Sequence, residues 1–329
     1  MTEPRDEALL TETGKPRAGA GIRFGALLWT ERATWTELQD AALTAEESGL
    51  DSLWCSDHLF AATGAEADPC FEVWTTLAAI GALTSNIEVG LLVAAIGLRN
   101  PGVIAKAAAT LDHITNGRAV LGLGSGWLER EYDAHGIDWA HDAATRARRL
   151  EEGAEIIVKL LAGEPVTYHG SYYQMEKAKH SPRPVQSKVP LLIGGEGNKT
   201  LGVVARFADM WNARGSVEKL RLSDQVLRLH CDKLGRPEQN IERLTNRWVT
   251  VRSSHTEARL SLERSLSGHG ITDYDDGIVA LGPPEEVAEQ LAPTIAAGFK
   301  HIVCSFRSPF DHESIQRLGE VRHILAGTQ

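Results

Sequence analysis

The sequence predicts a (β/α)8 TIM barrel with insertion segments, and three observations carry the prediction. Eight short apolar runs alternate with helical patterns from Ile22 almost to the end of the chain. That order calls for parallel strands joined by crossover helices. The eight units show no repeated halves and no linker-like composition divides them, which favours one closed barrel over an open doubly wound sheet. The length of 329 residues suits the barrel class.

Residues 1–20 are rich in charge, Thr, Gly and Pro without apolar periodicity, so they read as a flexible N-terminal tail. Residues 21–329 read as a single barrel domain. GIRFGALLW is a strand, WTELQDAALTAEESG a helix ending near Gly49, and LDSLWCSDH a second strand running into a loop. FEVWTTLAAIGALT is helical, IEVGLLVAA is a strand, and NPGVIAKAAATLDHITNG is a helix stopped at Gly117. RAVLGLGSGW is the fourth strand. A long helix over about 146–161 places Leu150, Ala154, Ile157 and Leu161 on one face. The segment 167–190 breaks the rhythm: YHGSYYQMEK predicts a hairpin and HSPRPVQSKVP an extended connector. VPLLIGGEG, DMWN, NRWVTVRSS and HIVCSF are the remaining strands. Between and after them NKTLGVVARFA, VEKLRLSDQVLRLHCDKLG, EEVAEQLAPTIAAG and a closing stretch over about 313–325 read as helices. The stretch 253–276, with its SGHG and TDYDDG turns, reads as a mobile loop over the pocket mouth.

Composition narrows the function classes. The formal net charge is −10 with both signs interspersed, and no run of Lys and Arg exceeds two, so a nucleic-acid footprint is not visible. No apolar window approaches the ~20 residues that span a bilayer, and no signal-peptide stretch opens the chain. Cys55, Cys70, Cys231 and Cys304 are scattered, without CxxC or a Cys/His cluster. That points to a reducing, cytoplasmic setting and to no metal site.

In this fold chemistry sits at the C-terminal ends of the strands. Those ends carry Trp29, Ser56-Asp57-His58, Leu92-Val93-Ala94, Gly124-Ser125-Gly126-Trp127, Gly194-Gly195-Glu196-Gly197, Asn212, Arg252-Ser253 and Ser305-Phe306-Arg307. His58 can donate a hydrogen bond or carry a proton there; capping the next segment is the structural alternative. LGLGSGW is not a dinucleotide fingerprint, because Trp127 stands where G-x-G-x-x-G needs its third glycine. Gly124 and Gly126 are expected to let a flat ligand approach closely, with Trp127 as an apolar wall; a tight turn with a core Trp is the alternative. In IGGEGNKT, backbone amides of 194–200 can turn toward an anion at a helix N-terminus, and Lys199 can add charge. An ordinary glycine-rich turn explains the same residues. The loop follows the fifth strand, whereas barrel phosphate sites usually follow the seventh and eighth. Glu129, Glu131 and Asp133 can move protons or hold substrate, or simply form a solvated face. No nucleophile elbow or activated cysteine is present.

These strand-end motifs, in this order, resemble the luciferase-like monooxygenase superfamily of flavin and deazaflavin enzymes. The resemblance runs from Ile22 to Leu325 and rests on AEESGLDSLWCSDHLF, DPCFEVWTTLAAI, GLRNPGVIAKAAATLDHITNGRAVLGLGSGW, GSYYQMEKAKHSPRPVQSKVPLLIGGEGNKTLGVVARFADMWN and LGPPEEVAEQLAPTIAAGFKHIV. DPCFEVWT and GGEGNKTL are similar to the branch of F420-dependent oxidoreductases. The resemblance implies a hydride transfer between coenzyme F420 and a small organic substrate. FMN, in a monooxygenase using reduced flavin and O2, is the alternative on the same barrel, and a non-catalytic flavin-binding protein is a third. It implies a catalytic His58 oriented by Asp57, with Trp127 lining the pocket, and a cis peptide at Leu92-Val93 behind the coenzyme ring. Gly194, Gly195, Glu196, Gly197, Asn198, Lys199 and Thr200 are implied in holding its phosphate, with Gly124 and Ser125 beside the ring. Pairing of two copies through outer helices is also implied. The sugar-phosphate dehydrogenases of the superfamily place Glu where Trp127 stands here, so the sequence departs from them at that position.

Overall fold

The computed structural model describes residues 21–65 and 67–327; the expected tail over 1–20 lies outside them. In chain order the elements are β1 (Arg23–Leu28), α1 (Trp35–Glu47), β2 (Ser52–Cys55), α2 (Val73–Leu83), β3 (Glu88–Leu91), β4 (Ala94–Ala95), α3 (Pro101–Ile114), β5 (Ala119–Gly124), α4 (Glu129–Ala134) and α5 (Ala143–Leu161). They continue with β6 (Val166–His169), β7 (Gln174–Ala178), β8 (Leu191–Gly194), α6 (Asn198–Phe207), β9 (Met210–Ala213), α7 (Val217–Leu234) and β10 (Glu242–Val251). The chain closes with α8 (His255–Gly268), β11 (Val279–Gly282), α9 (Pro284–Ala296), β12 (His301–Phe306) and α10 (His312–Gly327).

Parallel pairing runs β1–β2–β3–β5–β8–β9–β10–β12 and returns to β1. The sheet is therefore closed, with eight strands, as the alternation predicts. Its interior is filled by Leu27, Trp54, Leu92, Val120, Leu192, Met210, Leu244 and Val303, one residue from each strand or its end. The layer is a packed core rather than a channel. Trp54 needs the room its neighbours lack: a Cβ on Gly90 would lie 2.6 Å from its ring. Residues of opposite pleat face outward and join the helices in the main core. At the N-terminal end of the barrel, Arg23 donates to Glu88 (2.8 Å) and Glu242 (2.9 Å), and Glu242 also meets His301 Nδ1 at 2.9 Å. This half-buried polar belt ties β1, β3, β10 and β12 together at the end away from the chemistry.

The helices start where the sequence supplies caps. Thr34 and Glu37 form a full capping box on α1, and Asn100 caps α3 with Pro101 in its first turn. β6 and β7 form the antiparallel hairpin expected between the fourth and fifth barrel strands. The stretch expected to be a mobile loop is corrected: residues 255–268 form α8, capped by Ser254 and packed through Ala258, Leu262 and Leu266. Beyond it β11 pairs parallel with the C-terminal half of β10, Trp248↔Val279 through Val251↔Gly282. Only the connection between α8 and β11 reaches the mouth of the barrel.

Candidate active site

A cavity of about 920 Å³ opens at the C-terminal ends of the strands. His58, Asp57, Trp127, Leu92, Val93, Gly124, Ser125, Gly194, Gly195 and Glu196 all line it, so the structure gathers ten of the expected positions into one cleft. Gly197, Asn198, Lys199 and Thr200 are not on its wall. A second cavity of about 660 Å³, between α8 and the ends of β10 and β12, holds none of the expected site residues.

His58 is 8% exposed, and its ring nitrogen Nδ1 faces both carboxylate oxygens of Glu131 at 3.4 Å. Glu131 is itself buried, and its Oε2 also accepts from the Leu59 amide at 2.8 Å. A carboxylate on Nδ1 favours the tautomer with its proton there. Nε2 then remains for a ligand, since no described residue bonds it. The expectation that Asp57 orients His58 is corrected. Asp57 Oδ2 accepts instead from Arg99 Nη1 at 2.6 Å and the Ala95 amide at 3.3 Å. Burial pushes the Asp57 carboxyl up, opposed by the Arg99 guanidinium.

Two indoles flank the imidazole. Trp29 lies parallel to it with centroids 6.4 Å apart, and Trp127 meets it edge-on at 5.4 Å. Trp29 is fixed from behind. Its Nε1 donates to Ser305 Oγ at 2.7 Å, and the Arg307 guanidinium sits 3.8 Å from the centre of its ring. Arg307 in turn donates to Glu31 (3.2 Å) and Thr63 (3.1 Å), and burial pulls its pKa down to about 10. Glu31 and Arg99 are supporting residues that nothing in the sequence singles out, while Glu131 and Arg307 stand among its strand-end candidates without an assigned partner. Glu131 stands in the charged run LEREYD and looks solvated from sequence; its fold neighbours bury it.

The floor is built from Leu92 and Val93, and their peptide is cis, where the resemblance placed it. The glycines around this floor have a different reason from the expected one. A Cβ on Gly124 would lie 2.5 Å from Val93 Cγ2, and one on Gly126 would lie 2.4 Å from the Tyr132 hydroxyl. Both glycines make room for protein side chains rather than directly for a ligand. Gly126 also has φ +80°, which other residues rarely adopt.

The loop after β8 turns at Gly195, whose amide is taken by a protein carbonyl. Gly195 has φ +128°, its N–H donates to the Asn212 carbonyl at 3.1 Å, and its carbonyl accepts from Trp211 Nε1 at 2.9 Å. Gly197 caps α6 without a side-chain bond, so the first amides of that helix point out of it unbonded by a cap. Lys199 is corrected: it lies in a separate groove with Glu151, Arg206 and His230, and Asn198 bonds His230 at 2.9 Å. The cations on the cleft wall are Arg214 and Lys219. Lys219 Nζ lies 3.8 Å from Glu196, whose other oxygen accepts from the Arg214 amide at 2.6 Å. Four buried polar atoms on the wall lack a protein partner: Ser56 Oγ, Asp57 Oδ1, Asn212 Oδ1 and Asn246 Oδ1. Such atoms are costly unless a ligand or water meets them.

Among the described residues no group of three or more His, Cys, Asp or Glu is placed to hold a metal ion, and no helix is long and apolar enough to cross a membrane. The family model described as luciferase-like monooxygenase matches residues 19–275. An F420-dependent glucose-6-phosphate dehydrogenase of Microbacterium testaceum (strain StLB037) is 31% identical, over 90% of this chain and 95% of that protein. Among solved structures, an F420-dependent secondary alcohol dehydrogenase with an F420-acetone adduct superposes with TM-score 0.82 at 20% identity, covering 93% of this chain and 99% of the other. The coenzyme F420 dependent tetrahydromethanopterin reductase of Methanopyrus kandleri gives 0.77 at 21%, covering 92% and 98%.

Proposed function

The chain belongs to the luciferase-like monooxygenase family, and on that basis we propose that it is an enzyme, an oxidoreductase that moves a hydride between coenzyme F420 and a small organic substrate. The relatives support the coenzyme. One observation carries the chemistry. His58 is the only imidazole on the cleft wall among the described residues, and it stands between two indoles with a buried carboxylate on Nδ1.

The residues fit the coenzyme. The unpartnered Asp57, Asn212 and Asn246 oxygens can accept from N–H or O–H groups of a flat heterocycle and the Ser56 hydroxyl can donate to a carbonyl, and Leu92 and Val93 offer it an apolar floor. Arg214 and Lys219, the cations on the cleft wall beside the loop after β8, would hold its phosphate. When bound, the coenzyme supplies a ring carbon that accepts or releases a hydride.

In the oxidative direction His58 Nε2 takes the proton of the substrate hydroxyl while the hydride leaves the carbon beside it. In reduction the same nitrogen returns the proton. Glu131 stabilises the charge that forms on the imidazole in either direction. Trp29 and Trp127 exclude water and align the reacting carbon. We read 21–329 as one barrel domain. Four free cysteines, three of them buried, support a reducing, cytoplasmic setting.

Parallel fluorescence titrations of the purified protein with F420 and with FMN test the reading. Tighter binding of F420, unchanged in Lys199→Ala and followed by turnover that His58→Ala abolishes, is the expected result. Tighter binding of FMN with O2 consumption overturns it in favour of a flavin monooxygenase.

A further inference from the structure

The cleft also carries information about what it admits beside the coenzyme. Trp127 is 62% exposed although it stands at the mouth of a pocket, next to His58. An indole left that open gains free energy when an apolar ring covers it. Across the lining, Trp248 and Tyr274 form a second aromatic pair with centroids 5.4 Å apart. Trp29 adds a third aromatic surface, held parallel to His58.

The charges tell the same story from the other side. The two cations on the wall stand together after β9, and Lys219 is already beside Glu196. At the mouth, Tyr274 is flanked by Asp273 and Asp275, both exposed and both on the wall. Neither is in an ion pair in the described structure; Asp275 Oδ1 accepts only from the Gly277 amide, at 2.8 Å. Asp57 is spoken for by Arg99, and Glu131 stands behind His58. A second anion entering past Asp273 and Asp275 meets like charge in a cleft whose walls focus the field. Arg214, whose side chain is in no ion pair among the described residues, lies 6.0 Å from the centre of the Trp248 ring and is one of the two cations proposed for the coenzyme phosphate.

We infer that the substrate is a flat ring compound without negative charge, seated on Trp127 beside His58, and not a phosphorylated sugar. This rests on the proposed function for its role as substrate, although the selection itself belongs to the walls. The same three residues, Asp273, Tyr274 and Asp275, supply both a ring surface and the charge filter.

The test uses the full-length protein, with F420 affinity measured first by coenzyme fluorescence. Calorimetric titrations then compare benzaldehyde, 4-carboxybenzaldehyde and glucose 6-phosphate on the coenzyme-loaded protein. Benzaldehyde is expected to bind roughly tenfold or more tighter than either anion, a difference of about 1.4 kcal/mol. Trp127→Ala should weaken benzaldehyde by roughly 2–10-fold, the range of an aromatic pair. Asp273→Asn with Asp275→Asn should shrink the preference over 4-carboxybenzaldehyde while leaving benzaldehyde affinity unchanged. Equal or tighter binding of either anion, or a preference untouched by the double variant, overturns the inference. If F420 fails to bind, the same titrations are read on the coenzyme-free protein: a persisting ring preference removes the coenzyme assignment and keeps the selection by the walls, and its loss overturns both.

Discussion

Glu131→Gln is the most informative single change in the site. The substitution keeps the shape and leaves an amide oxygen to accept from Leu59, but it removes the charge facing His58 Nδ1. The separation is 3.4 Å, and Coulomb's law puts a unit pair at that distance between about 1 kcal/mol in water and about 5 kcal/mol at an effective dielectric constant of 20. Part of the loss is recovered because the glutamine oxygen can still accept from the ring, worth about 1 kcal/mol. The net expectation is about 2–3 kcal/mol on the proton-transfer step, or roughly 30–150-fold in kcat. Glu131 acts through His58 and touches no reacting atom, so KM should change little. The assay is the single-turnover rate of coenzyme reduction or oxidation, followed by absorbance, beside a thermal melt. A kcat within about threefold of the parent, well under 1.4 kcal/mol, refutes the reasoning. So does a loss of rate matched by loss of folded protein.

Three other expectations concern stability. Gly124→Ala places a Cβ 2.5 Å from Val93 Cγ2 and should cost about 1–3 kcal/mol by overpacking; urea melts should show recovery when Val93→Ala is added. Arg99→Ala leaves the buried Asp57 carboxylate with only the Ala95 amide, a loss of about 3–5 kcal/mol, and Asp57→Asn in the same chain should restore part of it. Burial holds the His269 imidazole below its usual value, opposed by the Ser308 carbonyl that accepts from Nε2 at 2.6 Å. The unfolded chain therefore takes the proton first. Stability should be full above about pH 6.5 and fall as the pH drops from there through the folded-state value. His269→Gln, whose amide can still donate to Ser308, should flatten that slope in melts between pH 7.5 and 5.5, and an unchanged slope would assign it to other groups.

The barrel strands were legible because each buries both faces in a parallel sheet and so reads as a short continuous apolar run. α8 was missed because its exposed face is so polar that the turns around it dominated the reading. Its start was nevertheless written in Ser254 and Glu257, a capping spacing, and its buried side in Ala258, Leu262 and Leu266. Lys199 was misplaced for a related reason. Helical periodicity carries Thr200, Leu201, Val203 and Val204 inward, which turns the neighbouring Lys199 out toward α5 and α7. Asp57 was paired with His58 because they are adjacent in sequence, yet adjacent residues at a strand end point to opposite sides. The partner that does face His58 comes from a helix two crossovers later, and no local pattern encodes that meeting.

Val93 occupies the space that Gly124 and Gly194 leave open, with approaches of 2.5 and 3.2 Å to the Cβ atoms those glycines lack. The three positions can therefore change only in company. A larger residue at Gly124 collides until Val93 has shrunk, one at Gly194 crowds the same side chain, and a smaller Val93 leaves a hole until a glycine has grown. Along a lineage, every first step loses stability that only a matching second step returns, so the trio is inherited as a block. The rim at Trp127 and 273–275 has no such reciprocity, and mutation can sample it one residue at a time. Descendants of this chain would explore new substrates at the rim while handing the floor down unchanged.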